Sequence, residues 1–386
     1  MKKIGFSGTL DPITNGHMWV IGEARSLADE VVVFLSENST KQPKFSAEQR
    51  KTIITESCAE RGWDNVQVLI VKSDYTARVA KKHGIDYLIR GIRTTADFDY
   101  ENLIQQTNVD VIGGAKTLFV MPPRDLGSVS SSFVKALEGP VGWNWTMQNF
   151  VPAPAYKAWI LSWLRKEWDA LWHGGIYAGG SSGPAHAANA AHADIWFERL
   201  TGSGAYGGAE RHYHNLDHLV HGLAEIRTWS ANVNPSRRDA DIVRAAFWFH
   251  DAIYSHGAMA VSNEEASAQQ WLASGLGPDI AADVAALIRA TDHFQSVGVV
   301  HPLKETMLSV DLAILGQNQD VYQHYTKGIR AEYGHVSDQR YATQRGQVLT
   351  YLRHKAEAGT LFGDPYFAEQ YTSQAIVNMS DEIAGL

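Results

Sequence analysis

Lys3 to Phe6 is a short apolar run of strand character, and Met18, Val20, Ile21, Ala24 and Leu27 follow at helical spacing. Between them lie Gly8, Pro12, Asn15 and Gly16, turn formers that let backbone N–H groups come close to a ligand. The pattern predicts a strand, a turn and a helix, with Asn15 and His17 at the helix N-terminus, the end that attracts anions. Tyr87-Leu88-Ile89 is a second strand-like run, followed by Arg90 and Arg93 at the edge where open α/β sheets put their ligands. Ser130 to Ser132, ahead of Phe133-Val134-Lys135, offers hydroxyls and amides at another helix start. From residue 195 to 380 the periodicity is helical, with few β-branched runs.

A helical run from Ala155 to Trp172 carries Trp159, Trp163, Trp168 and Trp172 on limited faces, a pattern of core or domain-packing contacts. Gly174 to Ala193 is rich in Gly, Ser, Ala and Pro and is expected to be a flexible linker. The expected organisation is thus 1–166, a helix end and linker over 167–193, and 194–386. Charge changes at the same place. Residues 1–166 hold 20 Lys and Arg against 17 Asp and Glu, whereas the remainder holds 14 against 25, and 14 of the 16 histidines fall after residue 166. Neither part has the dense basic patch of a nucleic-acid binder. No apolar stretch is long enough to span a membrane, and Met-Lys-Lys-Ile-Gly enters a strand without a signal-peptide core. The single cysteine, Cys58, excludes an intrachain disulfide and fits a reducing cytoplasm.

An imidazole at a helix N-terminus can donate to a phosphoryl oxygen, which suits transfer chemistry that depends on positioning and charge stabilisation. Lys41, Arg90 and Arg93 supply the cations needed to gather phosphorylated substrates. Four blocks in chain order carry a family resemblance: Asp11-Pro12-Ile13-Thr14-Asn15-Gly16-His17; Ser39 to Phe45 with Glu48-Gln49-Arg50; Leu88 to Glu101, including Arg90-Gly91-Ile92-Arg93 and Asp97-Phe98; and Ser128 to Lys135. Together they resemble the phosphopantetheine adenylyltransferases of the HxGH nucleotidyltransferase superfamily. The resemblance implies a doubly wound, Rossmann-like parallel sheet and a homo-oligomer formed through this part. It also implies catalytic roles for His17, Lys41 and Arg93, and acceptor binding by Thr9, Lys41, Thr76 and Arg90. ATP, with Mg²⁺, would be held by Thr9, Leu10, His17, Gly91, Ile92, Arg93, Glu101, Leu126, Gly127, Ser128, Val129, Ser130, Ser131 and Ser132. Ser73 to Val79 departs from the more apolar segment usual there. The acceptor therefore stays open between phosphopantetheine and another phosphorylated molecule such as nicotinamide mononucleotide.

The second part carries His212, His214, Asp217 and His218 near a helix start, His250-Asp251 after the apolar run Ala245 to Phe249, and a late Asp311. An adjacent His-Asp pair at the end of a buried helix needs partners, and imidazoles with carboxylates suit a divalent transition metal such as Mn²⁺, Fe²⁺, Co²⁺ or Ni²⁺. Arg211 to Leu219, Phe249 to Tyr254, Asn263-Glu264-Glu265 and Asp311 to Gly316 resemble the HD superfamily of metal-dependent phosphohydrolases, as do Tyr325, Arg330, Glu332 and Tyr333. That resemblance implies an all-helical fold and the metal ligands His218, His250, Asp251 and Asp311. His214 stands as the alternative first ligand, and His293 could assist a second metal or a phosphate. The expectation is a bifunctional cytoplasmic enzyme acting on small phosphorylated molecules, with no nucleic-acid or membrane partner. A rival expectation makes the second part a regulatory domain without turnover.

Overall fold

The computed structural model describes residues 2–37, 42–72, 74–85, 87–107, 114–173, 184–257, 259–293 and 298–386. By internal packing the chain divides into two compact units, 1–139 with 146–159, and 140–145 with 160–386.

The first unit alternates strands and helices: β1 (Lys3–Gly8), α1 (Asn15–Leu27), β2 (Glu30–Ser36), α2 (Ala47–Ala59), β3 (Val66–Val71), α3 (Thr76–Lys82), β4 (Tyr87–Gly91), α4 (Thr95–Gln106), β5 (Lys116–Val120) and α5 (Ser131–Leu137). Its five strands pair in parallel in the order β3-β2-β1-β4-β5. Val31 to Leu35 of β2 are all buried, as a strand covered on both faces requires. Gly5, in the central strand, faces Val32 on one side and Leu88 on the other. A Cβ there would lie 2.7 Å from Leu88 Cδ2 and 2.8 Å from Phe34 Cε2, so the close packing of the strands needs glycine at this point. The strand order reverses between β1 and β4, and in such a sheet a crevice opens at the carboxyl ends of those two strands.

Next come α6 (Trp143–Gln148) and α7 (Ala153–Trp172), and then an all-helical stretch: α8 (Pro184–Thr201), α9 (Leu216–Val233), α10 (Arg237–Phe249), α11 (Asn263–Ser274), α12 (Ala281–Ala290), α13 (Lys304–Leu312), a 3₁₀ turn over Ala313–Gly316, α14 (Gln319–Glu332), α15 (Asp338–Glu357) and α16 (Pro365–Gly385). The stretch expected to be a linker is helical from residue 184. Its alanine-rich composition favours helix, and Pro184 stands at the first helical position, where its missing N–H costs nothing. Residues 174–183 of that stretch lie outside the described residues. The four tryptophans of α7 are all buried, but they do not share one core. Trp159 belongs to the first unit, where Lys44 Nζ sits 3.7 Å above its ring and its Nε1 donates to Glu138 at 2.7 Å. Trp168 packs edge-on to Trp248 in the second unit, with ring centres 4.9 Å apart, and Trp172 lies beside Trp271. Among the described residues no helix is long and apolar enough to cross a membrane.

α9 and α10 cross closely at Gly222. A Cβ at that position would lie 1.9 Å from Cζ of Phe247, a ring with no exposed surface. Gly222→Ala is therefore expected to lower stability by about 1–3 kcal/mol, because overpacking outweighs the helix-propensity gain of alanine. A melting temperature at or above that of the parent protein would contradict this reading of the crossing.

Candidate active sites

The turn after β1 and the start of α1 build the first site. Thr14 is the N-cap of α1 and His17 the third helical residue, and the two close a capping box. The Thr14 backbone N–H donates to Nδ1 of His17 at 3.0 Å. This bond leaves Nδ1 an acceptor and puts the proton on Nε2, ready to donate. Burial, with the Arg93 charge nearby, lowers the His17 pKa from 6.5 to about 4, so the imidazole is neutral at pH 7. The preceding Leu10 is buried with φ 48°, a left-handed conformation that strains a side-chain-bearing residue.

His17 borders a cavity of about 420 Å³ at the carboxyl ends of β1 and β4. Of the residues singled out in the sequence, Thr9, Leu10, Gly91, Leu126, Val129 and Ser130 to Ser132 line it, together with Arg90, Arg93 and Glu101. Ser130 caps α5 by accepting from the Phe133 N–H. Arg90 pairs with Glu101 at 3.2 Å and donates to the Ser7 carbonyl, and Arg93 pairs with Asp97 at 3.1 Å. Ile92, Gly127 and Ser128 are not part of the lining, and neither is Thr76, whose hydroxyl lies 3.4 Å from that of Ser36. Lys41 is outside the described residues.

Three residues of this site had no assigned role in the sequence. Asp11, 3% exposed, accepts from the backbone N–H groups of Lys44 and Phe45 and from Lys135 Nζ at 2.5 Å, which ties the β1 turn to the 42–45 loop and to α5. Arg50, 2% exposed, donates to the carbonyls of Thr9 and Phe45. Asp11 and Lys135 also line the cavity. Asp11 and Lys135 stand in two of the quoted blocks, but their spacing of 124 residues gives no local sign that they meet.

The second unit gathers His218 from the first turn of α9, His250 and Asp251 from the end of α10, and Asp311 from α13. Ligand atoms of His218, His250 and Asp251 all lie within 4.8 Å of one another. Nε2 of His218 and of His250 are 3.0 Å apart, and Asp311 Oδ1 is 3.6 and 3.4 Å from them. Asp251 Oδ2 lies 3.0 Å from His250 Nε2 and 3.6 Å from His218 Nε2. These separations suit neighbouring donors of one shell, whose bonds to a metal are about 2.0–2.2 Å. His250 Nδ1 lies 2.9 Å from the Phe247 carbonyl, the backing contact that turns Nε2 of a ligating histidine towards a metal. The donor set of two imidazoles and two carboxylates therefore fits a divalent transition metal.

The same groups titrate together. Burial favours neutral His250, but Asp251 and Asp311 overcome it and hold the ring protonated well above its usual range. Burial and the adjacent His250 charge bring His218 down to about 4. Asp251, though buried, is pulled below the usual carboxylate range by His250 and His214, and Asp311 by His250 and His293. His214 stands further out, with Nε2 4.0 Å from Asp251. Its Nδ1 is 2.8 Å from Glu332, which also accepts from the backbone N–H groups of His212, Tyr213 and His214. His293 is not a free helix-end side chain, since its Nε2 lies 2.9 Å from Asp311 Oδ2. Arg330 holds the carbonyls of Tyr333 and Val336, and Tyr333 packs on His256.

A five-stranded parallel sheet with a reversal in strand order and a cavity of about 420 Å³ at that point fits a Rossmann-like nucleotidyltransferase fold, and the comparisons narrow the class. The family described as Cytidylyltransferase-like matches residues 6–137. A phosphopantetheine adenylyltransferase of Chromobacterium violaceum is 36% identical over 157 residues, covering 41% of this chain and 94% of the relative. Proteins of the same name from Lacticaseibacillus paracasei and Neisseria meningitidis are 37% and 32% identical, covering 41% and 40% of this chain and 92% and 91% of their own lengths. Through this part the chain belongs to the phosphopantetheine adenylyltransferase family.

His17 takes up its proton near pH 4 in the folded chain and near 6.5 in the unfolded one. The unfolded state thus binds more protons between these values. Its contribution to stability should be complete above pH 6.5 and decline as pH falls towards 4. In an NMR titration the His17 ring resonances are expected to stay at their neutral positions down to about pH 5; a midpoint near 6.5 would contradict the buried, Arg93-facing placement.

Proposed function

We propose that the first unit transfers an adenylyl group from ATP to 4′-phosphopantetheine, giving dephospho-coenzyme A and pyrophosphate. The observation that carries this reading is the His17 Nε2 proton at the edge of a cation-lined cavity, on a chain whose relatives bear that enzyme's name. An acceptor phosphate oxygen would attack the α-phosphorus in line, forming a P–O bond as the bond to the β-phosphate bridging oxygen breaks and pyrophosphate leaves. The nucleotide would arrive with Mg²⁺ as its counterion. A neutral His17 would donate to the α-phosphoryl oxygen where negative charge grows, with Arg93 beside it and Arg90 gathering the acceptor phosphate. Glu101 and Asp97 hold these two guanidinium groups ready, so little reorganisation is left to the reaction. Nicotinamide mononucleotide is the rival acceptor, on the Ser73 to Val79 departure.

We further infer that the second unit is a metal-dependent phosphohydrolase, with His218, His250, Asp251 and Asp311 holding a divalent transition metal. The convergence of four donors from three helices and its similarity to the HD pattern support the reading. A metal there would supply polarisation of a phosphate and a hydroxide at neutral pH. Around it, His250 keeps its orientation through the Phe247 carbonyl, Glu332 holds His214 beside Asp251, and His293 steadies Asp311.

His17→Ala is expected to cut adenylyl transfer by about 10²–10³-fold while ATP affinity changes little, because the donor acts on transition-state charge. Turnover within about threefold of the parent would remove His17 from that role. In a competition assay followed by product mass, phosphopantetheine should be consumed before nicotinamide mononucleotide; the reverse order would assign the rival acceptor.

Asp251→Ala should abolish metal-dependent phosphate release, since it deletes a ligand and the charge that retains the cation. Adenylyl transfer should stay near normal, because each constellation is complete within its own unit. Loss of both activities in a folded variant would make the second unit a regulator of the first.

A further inference from the structure

A second, smaller cavity of about 160 Å³ adjoins the histidine-aspartate cluster and shares Asp311, His293 and His214 with it. It has room for roughly five waters, and is about half the lower limit for pockets that take drug-sized ligands. Away from the cluster its wall is mostly apolar, built from Leu315, Ile329, Val348 and Leu352 with the rings of Tyr213 and Tyr325. Arg345 is the only Lys or Arg among the described lining residues, and Glu382 neutralises it through a two-pronged pair at 2.8 and 3.1 Å. The two imidazoles of the lining, His214 and His293, are likewise engaged by Glu332 and Asp311, so a charged group set against the apolar wall would lose its hydration without compensation.

Resting on the hydrolase reading above, we propose that this slot receives the organic part of the second unit's substrate, which is a phosphomonoester of a compact, neutral, largely apolar group. Nucleoside di- and triphosphates are excluded, because their further phosphates find no counter-charge in the slot. Hydrolysis adds water across the ester P–O bond: hydroxyl to phosphorus, proton to the leaving oxygen, giving phosphate and a neutral alcohol.

The test uses the full chain loaded with Mn²⁺. Phosphate release is measured from phenyl phosphate, methyl phosphate, ATP and pyrophosphate, and binding of phenylphosphonate by calorimetry. Phenyl phosphate should exceed ATP and pyrophosphate at least tenfold in kcat/KM. Val348→Phe, which fills the slot from its half-buried wall, should weaken phenylphosphonate at least tenfold and raise KM for phenyl phosphate while methyl phosphate turnover is retained. Leu352→Phe serves the same purpose should Val348→Phe fail to fold. Preference for ATP or pyrophosphate would overturn the substrate class and leave the hydrolase reading standing, and phenylphosphonate binding indifferent to both filled-slot variants would overturn the slot. Phenylphosphonate bound by the parent and lost in the variants, with no phosphate released from any ester, would instead retain the slot and remove the hydrolase reading. Neither binding nor release would overturn both.

Discussion

A buried charge must be answered by another charge or by hydrogen bonds, and both units of this chain are organised around that requirement. In the first unit the Asp11 carboxylate draws Lys135 and two backbone amides to itself, and Arg50 fills in behind with bonds to Thr9 and Phe45. Three segments far apart in sequence are thereby fixed around one crevice. In the second unit Asp251 and Asp311 face His218 and His250, and the two carboxylates raise the His250 pKa. Leaving any one of these groups without its partner would cost more than the pair contributes in isolation.

The two solutions serve different chemistry. At the first site the key imidazole is kept neutral by burial and by Arg93, and its tautomer is set by a backbone N–H, so it can only donate outward. Fixed donors of this kind stabilise charge that appears during transfer, with no rearrangement at that moment. At the second site Asp251 and Asp311 favour positive charge on His250. In the proposed functions, one site receives anions and the other retains a cation.

Local reading succeeded where the chemistry is local. The strand, turn and helix around His17 and the helix start at Ser130 depend on short-range propensity and capping, and the observed elements begin and end close to the expected positions. Asn15 and His17 stand in the first turn of α1, as the pattern predicts, with Thr14 supplying the cap. The stretch before Ala193 failed for the opposite reason: glycine and serine suggested a linker, yet its second half is an alanine-rich run that starts on proline and folds as helix. The tryptophans of α7 were legible as buried, but their division between two cores was not, since helical periodicity describes faces and says nothing of what covers them.

By itself the sequence determined the alternation of elements, the family of the first part and the residue types able to perform each chemistry. These properties reside in neighbouring residues, in fixed turn geometry and in motif wording. Tertiary structure alone decided which residues meet. It brought Asp11 to Lys135, separated Thr76 from the main cavity, set His214 behind Glu332, and paired His293 with Asp311. It also set an apolar slot against the histidine-aspartate cluster. The reason is distance along the chain: interactions over 18 to 124 residues follow from strand order and helix crossing, which no local pattern encodes.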